Sequence, residues 1–195
     1  MTTKQRIIRE QFLASITVTQ TVLKEQKTID QIETLCDLCV SSLQSGGKII
    51  FAGNGGSFAD AQHLSAEFTS RFLFDRAPLA SLVLGANNSA ISAIGNDYGY
   101  EHVFARELTA IATSADVFIP ISTSGNSVNI LEATRIAKIL NIKTVGLTGR
   151  TGGKLNSLCD CICIPANDTG RIQECHILIG HILCQLVERS MFPGG

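Results

Sequence analysis

The chain has 195 residues, 45% of them hydrophobic, which is enough to bury one substantial core. Sixteen basic residues stand against 17 acidic ones, a formal charge of -1 that argues against a nucleic-acid or membrane-surface protein and for a small-molecule partner or another copy of the chain. The first twelve residues, MTTKQRIIREQF, mix charge with apolar residues, and no run approaches the eighteen or so that a membrane span requires, so a soluble cytoplasmic protein is expected.

Residues 1–45 read as two helices with no strand between them. Ile8, Phe12, Ile16 and Leu23 recur at near-helical intervals, and Ile32, Leu35, Cys39 and Leu43 do so again. From residue 46 to about 190 the pattern changes. Short apolar or β-branched runs, KIIFAG, ASLVLG, ADVFIPI, KTVGLTG and CDCICIP, alternate with amphipathic segments, which predicts five strands separated by helices. The helices are placed at 57–72, 88–94, 100–113, 127–140 and 170–190, with a short turn at 153–158. The fold class is therefore α/β: one domain with a doubly wound five-stranded parallel sheet, preceded by a helical extension, its ligand beyond the carboxyl ends of the strands. The closing FPGG is expected to fray.

Seven cysteines, at 36, 39, 159, 161, 163, 175 and 184, form no disulfide framework by spacing and suit a reducing compartment. Cys36 and Cys39 fall on the apolar face of a helix, and Cys159, Cys161 and Cys163 alternate along one face of a strand, where free cysteine serves as a small hydrophobe.

Two loops could hold a phosphate. The first strand ends in Gly53-Asn54-Gly55-Gly56-Ser57 directly before a helix, whose N-terminal N–H groups and dipole favour an anion. The nucleotide motifs fail: Phe58 stands where GxGxxG needs glycine, and TGRTGGKL has its lysine at the wrong offset for GxxxxGK[ST]. No nucleotide cofactor is expected. The third strand runs into Ser122-Thr123-Ser124-Gly125-Asn126-Ser127, whose hydroxyls exceed the one side-chain oxygen that capping needs and suit a phosphate monoester.

Acid–base candidates lie on two helices. His63 and Glu67 are one turn apart on a shared face, in a sequence that is not the HExxH zinc signature. In RIQECHILIGHILCQL, Gln173 and His181 are eight residues apart, about 80° around the helix, while Glu174 is better aligned with His181, so geometry leaves Gln173 and Glu174 both open. His176 reads as a satisfied core residue.

GNGGSFADAQHLSAEF, the Asn96-Asp97 pair in AIGNDYGYEHVFAR, the ISTSGNS loop, TGRTGGKL and RIQECHILIGHIL occur in one order along essentially the whole chain. Together they resemble the bacterial phosphoheptose isomerases, or sedoheptulose 7-phosphate isomerases, of the sugar isomerase (SIS) domain superfamily. The resemblance implies a flavodoxin-like sheet and conversion of sedoheptulose 7-phosphate to D-glycero-D-manno-heptose 7-phosphate, feeding heptose for the lipopolysaccharide core. It further implies a substrate lying across Asn54, Gly55, Gly56, Asn96, Asp97, Ser122, Thr123, Ser124 and Ser127. Glu67 and His181 correspond to the catalytic carboxylate and its partner. Zinc, one ion per subunit, would be held by His63, Glu67, Gln173 and His181, so the resemblance selects Gln173 over Glu174. A homotetramer with sites built between subunits is implied as well. Gly170 stands where some relatives have aspartate, with Asp168 two positions earlier. Two rival readings share the loops: a non-enzymatic homologue that binds the replication initiator, and a sugar-phosphate-sensing module. His63, Glu67 and His181 favour the enzyme.

Overall fold

A computed structural model describes residues 1–194, so the last residue of the expected FPGG tail lies outside it. Two long helices come first, α1 (Thr3–Lys24) and α2 (Gln26–Gln44). Thr2 starts α1 with a capping box: its hydroxyl accepts from Gln5 N, and the Gln5 side chain accepts from Thr2 N. Then strands β1 (Ile49–Ala52), β2 (Ser81–Val83), β3 (Val117–Ser122), β4 (Lys143–Gly149) and β5 (Asp160–Ile164) alternate with helices α3 (Gly56–Thr69), α4 (Asn88–Tyr98), α5 (Val103–Ile111), α6 (Val128–Ile139) and α7 (Thr169–Met191).

All strand pairs are parallel and the sheet order is β2-β1-β3-β4-β5. This is the doubly wound, flavodoxin-like order, with its switch point between β1 and β3. Each strand reads as a near-continuous apolar run because helices cover both faces, and the two-residue period sends alternate side chains to opposite cores. Ile49, Phe51, Ile119, Ile121, Leu147, Ile162 and Ile164 pack against α2, α3 and α7. Ile50, Ala52, Phe118 and Cys161 pack on the other face, against α5 and α6. Cys159 and Cys163 join Cys161 on that second face, and all seven cysteines are free thiols.

The helix expected over 100–113 opens as a 3-10 turn at Tyr100–His102 and ends at Ile111, and two other helices end three or four residues from where they are expected. The helix expected over 57–72 stops at Thr69, because the backbone N–H groups of Phe72 and Leu73 turn away to donate to the carboxylate of Glu188 on α7. The helix expected over 88–94 runs on to Tyr98, so Asn96 and Asp97 sit in its last turn. No helix among the described residues is long and apolar enough to cross a membrane.

Candidate active site

The loops after β1 and β3 flank the switch point, so the sheet order alone brings GNGG and STSGNS side by side. Gly55 takes φ +55°, a conformation that favours glycine, and a Cβ on Gly53 would run into the Ser57 carbonyl. Asn54 is held by a reciprocal amide pair. Its Nδ2 donates to Asn129 Oδ1 at 2.9 Å, its Oδ1 accepts from Asn129 Nδ2 at 2.9 Å, and the Tyr100 hydroxyl adds a further donor at 3.1 Å. Asn129 is buried at the start of α6, so this pair ties the glycine loop to the serine loop's helix.

In the serine loop, Ser127 stands at the N-cap of α6 yet makes no capping hydrogen bond; its hydroxyl lies 3.1 Å from that of Ser122 instead. Capping therefore does not account for these hydroxyls. Ser124 Oγ accepts from Asn126 N, and the Thr123 carbonyl accepts from Gly149 N. The TGRTGGKL segment braces the loop from behind: Leu155 N donates to Gly125 O, and Lys154 N to Asn126 Oδ1. Its Gly152 and Gly153 thus permit close backbone approach to Gly125.

His63 and Glu67 project from α3 toward His181 on α7. The Nε2 atoms of the two histidines are 2.8 Å apart, and His63 Nε2 is 3.5 Å from Glu67 Oε1. Gly180 makes this possible: a Cβ there would stand 2.5 Å from both Leu64 methyls, so α3 and α7 pack backbone to side chain at the pair of positions next to the two histidines. On its other side, His181 stacks on Phe72, with ring centroids 5.6 Å apart and planes at 26°.

Gln173 lies against Gly56 at the amino ends of the same two helices, where a Cβ on Gly56 would meet its Nε2 at 2.6 Å. It is about 12 Å along α7 from His181 and has no hydrogen bond to the imidazole cluster among the described residues. Glu174, the alternative left open by helical geometry, pairs at 2.6 Å with Arg171. Two imidazoles and a carboxylate are ligand types that zinc takes, and two nitrogens bound to one ion at about 2.0–2.1 Å would stand about 3.3 Å apart, a small opening of the observed contact. The donor types therefore fit zinc. Among the described residues no set of three or more such groups is gathered closely enough to hold an ion as it stands, and Gln173 would have to swing toward His181 to serve as fourth ligand.

Asn96 and Asp97 are exposed, bonded to each other at 2.8 Å, and line a depression of their own with Asn88, Ser89 and Ser92. Among the described residues neither side chain hydrogen-bonds to the glycine or serine loop, and Asn88 also lines the neighbouring depression formed by Gly53, Asn54 and Gly55. Asp168 caps α7, its side chain accepting from Arg171 N at 3.0 Å, and Arg71 is exposed. His176 is fully buried; its Nε2 donates to Thr148 O at 3.1 Å while Nδ1 has no partner, so it is only half satisfied. Asp60, one turn before His63, was missed in the sequence although the 60, 63, 67 spacing puts it on the same face. One of its carboxylate oxygens is buried without a partner, and burial raises its pKa, partly offset by nearby His63.

Residues 11–149 match the SIS domain family model. Over 186 residues, 95% of this chain and 94% of the relative, the sequence is 51% identical to a phosphoheptose isomerase of Aneurinibacillus thermoaerophilus. The chain belongs to the phosphoheptose isomerase family. The solved phosphoheptose isomerase of Neisseria gonorrhoeae superposes with TM-score 0.88 at 38% identity, covering 95% of this chain and 99% of that one. That of Francisella tularensis gives 0.91 at 32% identity, covering 96% and 100%. This phosphoheptose isomerase family member is thus an enzyme, a sugar-phosphate isomerase.

Proposed function

We propose that the protein interconverts sedoheptulose 7-phosphate and D-glycero-D-manno-heptose 7-phosphate by moving a proton between C1 and C2 through an enediolate. The observation that carries this reading is the meeting of Glu67, His63 and His181 from two helices, beside a hydroxyl-lined loop whose side chains are not spent on capping. Ser122, Thr123, Ser124 and Ser127 hold the phosphate, and Asn54, fixed by Asn129, orients the sugar chain. Binding at the phosphate end orients carbons that are remote from it.

Glu67 carries the proton between the two carbons, and His181 exchanges the oxygen protons. With His63, Glu67, Gln173 and His181 as ligands, zinc when bound supplies Lewis-acid polarisation of the substrate oxygens. Isomerisation involves no net redox change, so no nicotinamide or flavin is required.

The enzyme acts as a homotetramer in the cytoplasm, its product supplying heptose for lipopolysaccharide core or related glycans. Supporting assembly, α1 has no buried residue and exposes Ile7, Ile8, Phe12, Leu13 and Ile16. Asn96 and Asp97, exposed and bonded to each other, would then serve a neighbour's site. Free thiols suit a reducing compartment. Incubation with sedoheptulose 7-phosphate, with and without zinc, and detection of the aldoheptose phosphate tests the reading. Absence of product in both conditions, with capture of the replication initiator, would replace it by the binding role.

A further inference from the structure

The segment that leaves α3 is anchored by a buried ion pair that no step above uses. Glu188 is fully buried on α7 and accepts from Phe72 N at 2.9 Å, Leu73 N at 2.8 Å and Arg76 Nε at 2.8 Å. Arg76, its side chain 2% exposed, spends its remaining donors on the carbonyls of Glu67, Phe68, Ser70 and Ala77. One guanidinium therefore closes the carboxyl end of α3, including the main chain of Glu67, and one carboxylate fastens that end to α7.

Glu188 follows His181 by seven residues, two turns along the same helix face. The pair thus bridges the two helices that carry the proposed acid–base groups, close to those groups. A buried ion pair is a poor device for stability alone, because apolar side chains of similar volume do as well. What a carboxylate adds is direction. Accepting from two consecutive backbone N–H groups, it fixes where the Phe72 side chain leaves the chain.

The consequence is seen at His181. Its imidazole lies between the Phe72 ring, stacked at 26°, and the His63 ring, which meets it edge-on at 75° with centroids 5.1 Å apart. Without the phenyl wall, nothing in those contacts prevents the imidazole from turning about its side-chain bonds and withdrawing Nε2 from His63.

Building on the reading that His181 exchanges protons with the substrate, we infer that Phe72, set in place by the Arg76–Glu188 pair, is a positioning residue that holds the His181 ring in its reactive orientation. Phe72 acts through His181 and performs no chemistry itself.

The test uses Phe72→Ala and Phe72→Tyr in the full chain. In Phe72→Ala, kcat for sedoheptulose 7-phosphate falls about 10- to 100-fold, as expected for misplacement of a reacting group by up to an ångström. KM stays within about threefold, because the phosphate end is held elsewhere. Phe72→Tyr, which keeps the ring, restores kcat. A role confined to folding would instead lower melting temperature and activity together and leave the kcat of the folded fraction unchanged. Long-range 1H–15N spectra of the imidazole nitrogens, taken at one pH on EDTA-treated protein, read the ring without turnover: His181 shows one defined tautomer in the wild type and an averaged pattern in Phe72→Ala. Superimposable spectra, or wild-type kcat in the folded alanine variant, overturn the inference. A wild type inactive on this substrate refutes the proposed function, and the spectra then decide the positioning role by themselves.

Discussion

Gly180→Ala is a small change aimed at the approach of α3 to α7. The new methyl would sit 2.5 Å from both Leu64 methyls, where ordinary contact begins near 3.4 Å, so about 1 Å must be found between the two helices or within Leu64. Leu64 is 1% exposed and packed on all sides, which limits its own escape. Two stability effects oppose each other. Alanine is favoured over glycine by about 1 kcal/mol inside a helix, and overpacking a core costs about 1–3 kcal/mol, so the net loss is about 0–2 kcal/mol. The effect on catalysis is larger, because His63 neighbours Leu64 and His181 neighbours Gly180. Displacing reacting groups by about 1 Å reduces kcat/KM by about 100-fold. Steady-state kinetics and thermal melts on Gly180→Ala, Leu64→Ala and the double variant measure both. The double variant, with space for the added methyl, should be more active than the two single effects multiplied together predict. A Gly180→Ala enzyme with wild-type turnover and about 1 kcal/mol of added stability would refute the claim that close helix approach brings the imidazoles together.

Acid should destabilise the protein in two overlapping windows. Burial lowers the His176 pKa to about 4 despite its hydrogen bond to the Thr148 carbonyl. The unfolded chain takes up that proton near 6.5, so stability falls as pH drops from about 6.5 to 4, by about 3 kcal/mol in all; chemical denaturation of His176→Leu across this range should show a flatter slope, and an unchanged slope would contradict the assignment. At Glu188, desolvation raises the pKa but the N–H groups of Leu73 and Phe72 and the Arg76 guanidinium outweigh it, for a net lowering. Its contribution is present above the ordinary carboxylate range and is lost as pH falls through the folded value. Phe12→Asp, at a residue 69% exposed on α1, should shift the native mass from that of the proposed tetramer to smaller species by light scattering, while an unchanged mass would exclude α1 from the interface.

Much of the fold was legible because both of its periodicities were local. Ile49 to Ala52 and Val117 to Ser122 are buried throughout, as expected of strands covered on both faces, and Cys159, Cys161 and Cys163 do share a face. The GNGG and STSGNS loops were legible for a similar reason, since glycine and hydroxyl residues at strand ends mark backbone turns. Contacts made by residues distant in sequence were not. Nothing near Arg76 announces Glu188, 112 residues away, and the overrun of the expected α3 end to residue 72 follows from missing that pair. Asn129 reads as an ordinary second residue of a helix until its amide meets Asn54, and Gly180 reads as a mild helix fault until Leu64 is set against it. Gln173 was selected by resemblance where spacing aligned Glu174 better with His181, and its amide lies beside Gly56 with Glu174 turned outward to Arg171.

The most direct measurement compares wild type with Glu67→Gln on sedoheptulose 7-phosphate in deuterium oxide. Aldoheptose phosphate formation and solvent deuterium at the reacting carbon are followed together, with inorganic phosphate binding measured alongside. Loss of a positioned base is worth about 10²- to 10⁴-fold. The account predicts product and exchange in the wild type, a loss of both of that order or more in the variant, and phosphate affinity nearly unchanged. Turnover by Glu67→Gln at the wild-type rate would contradict it.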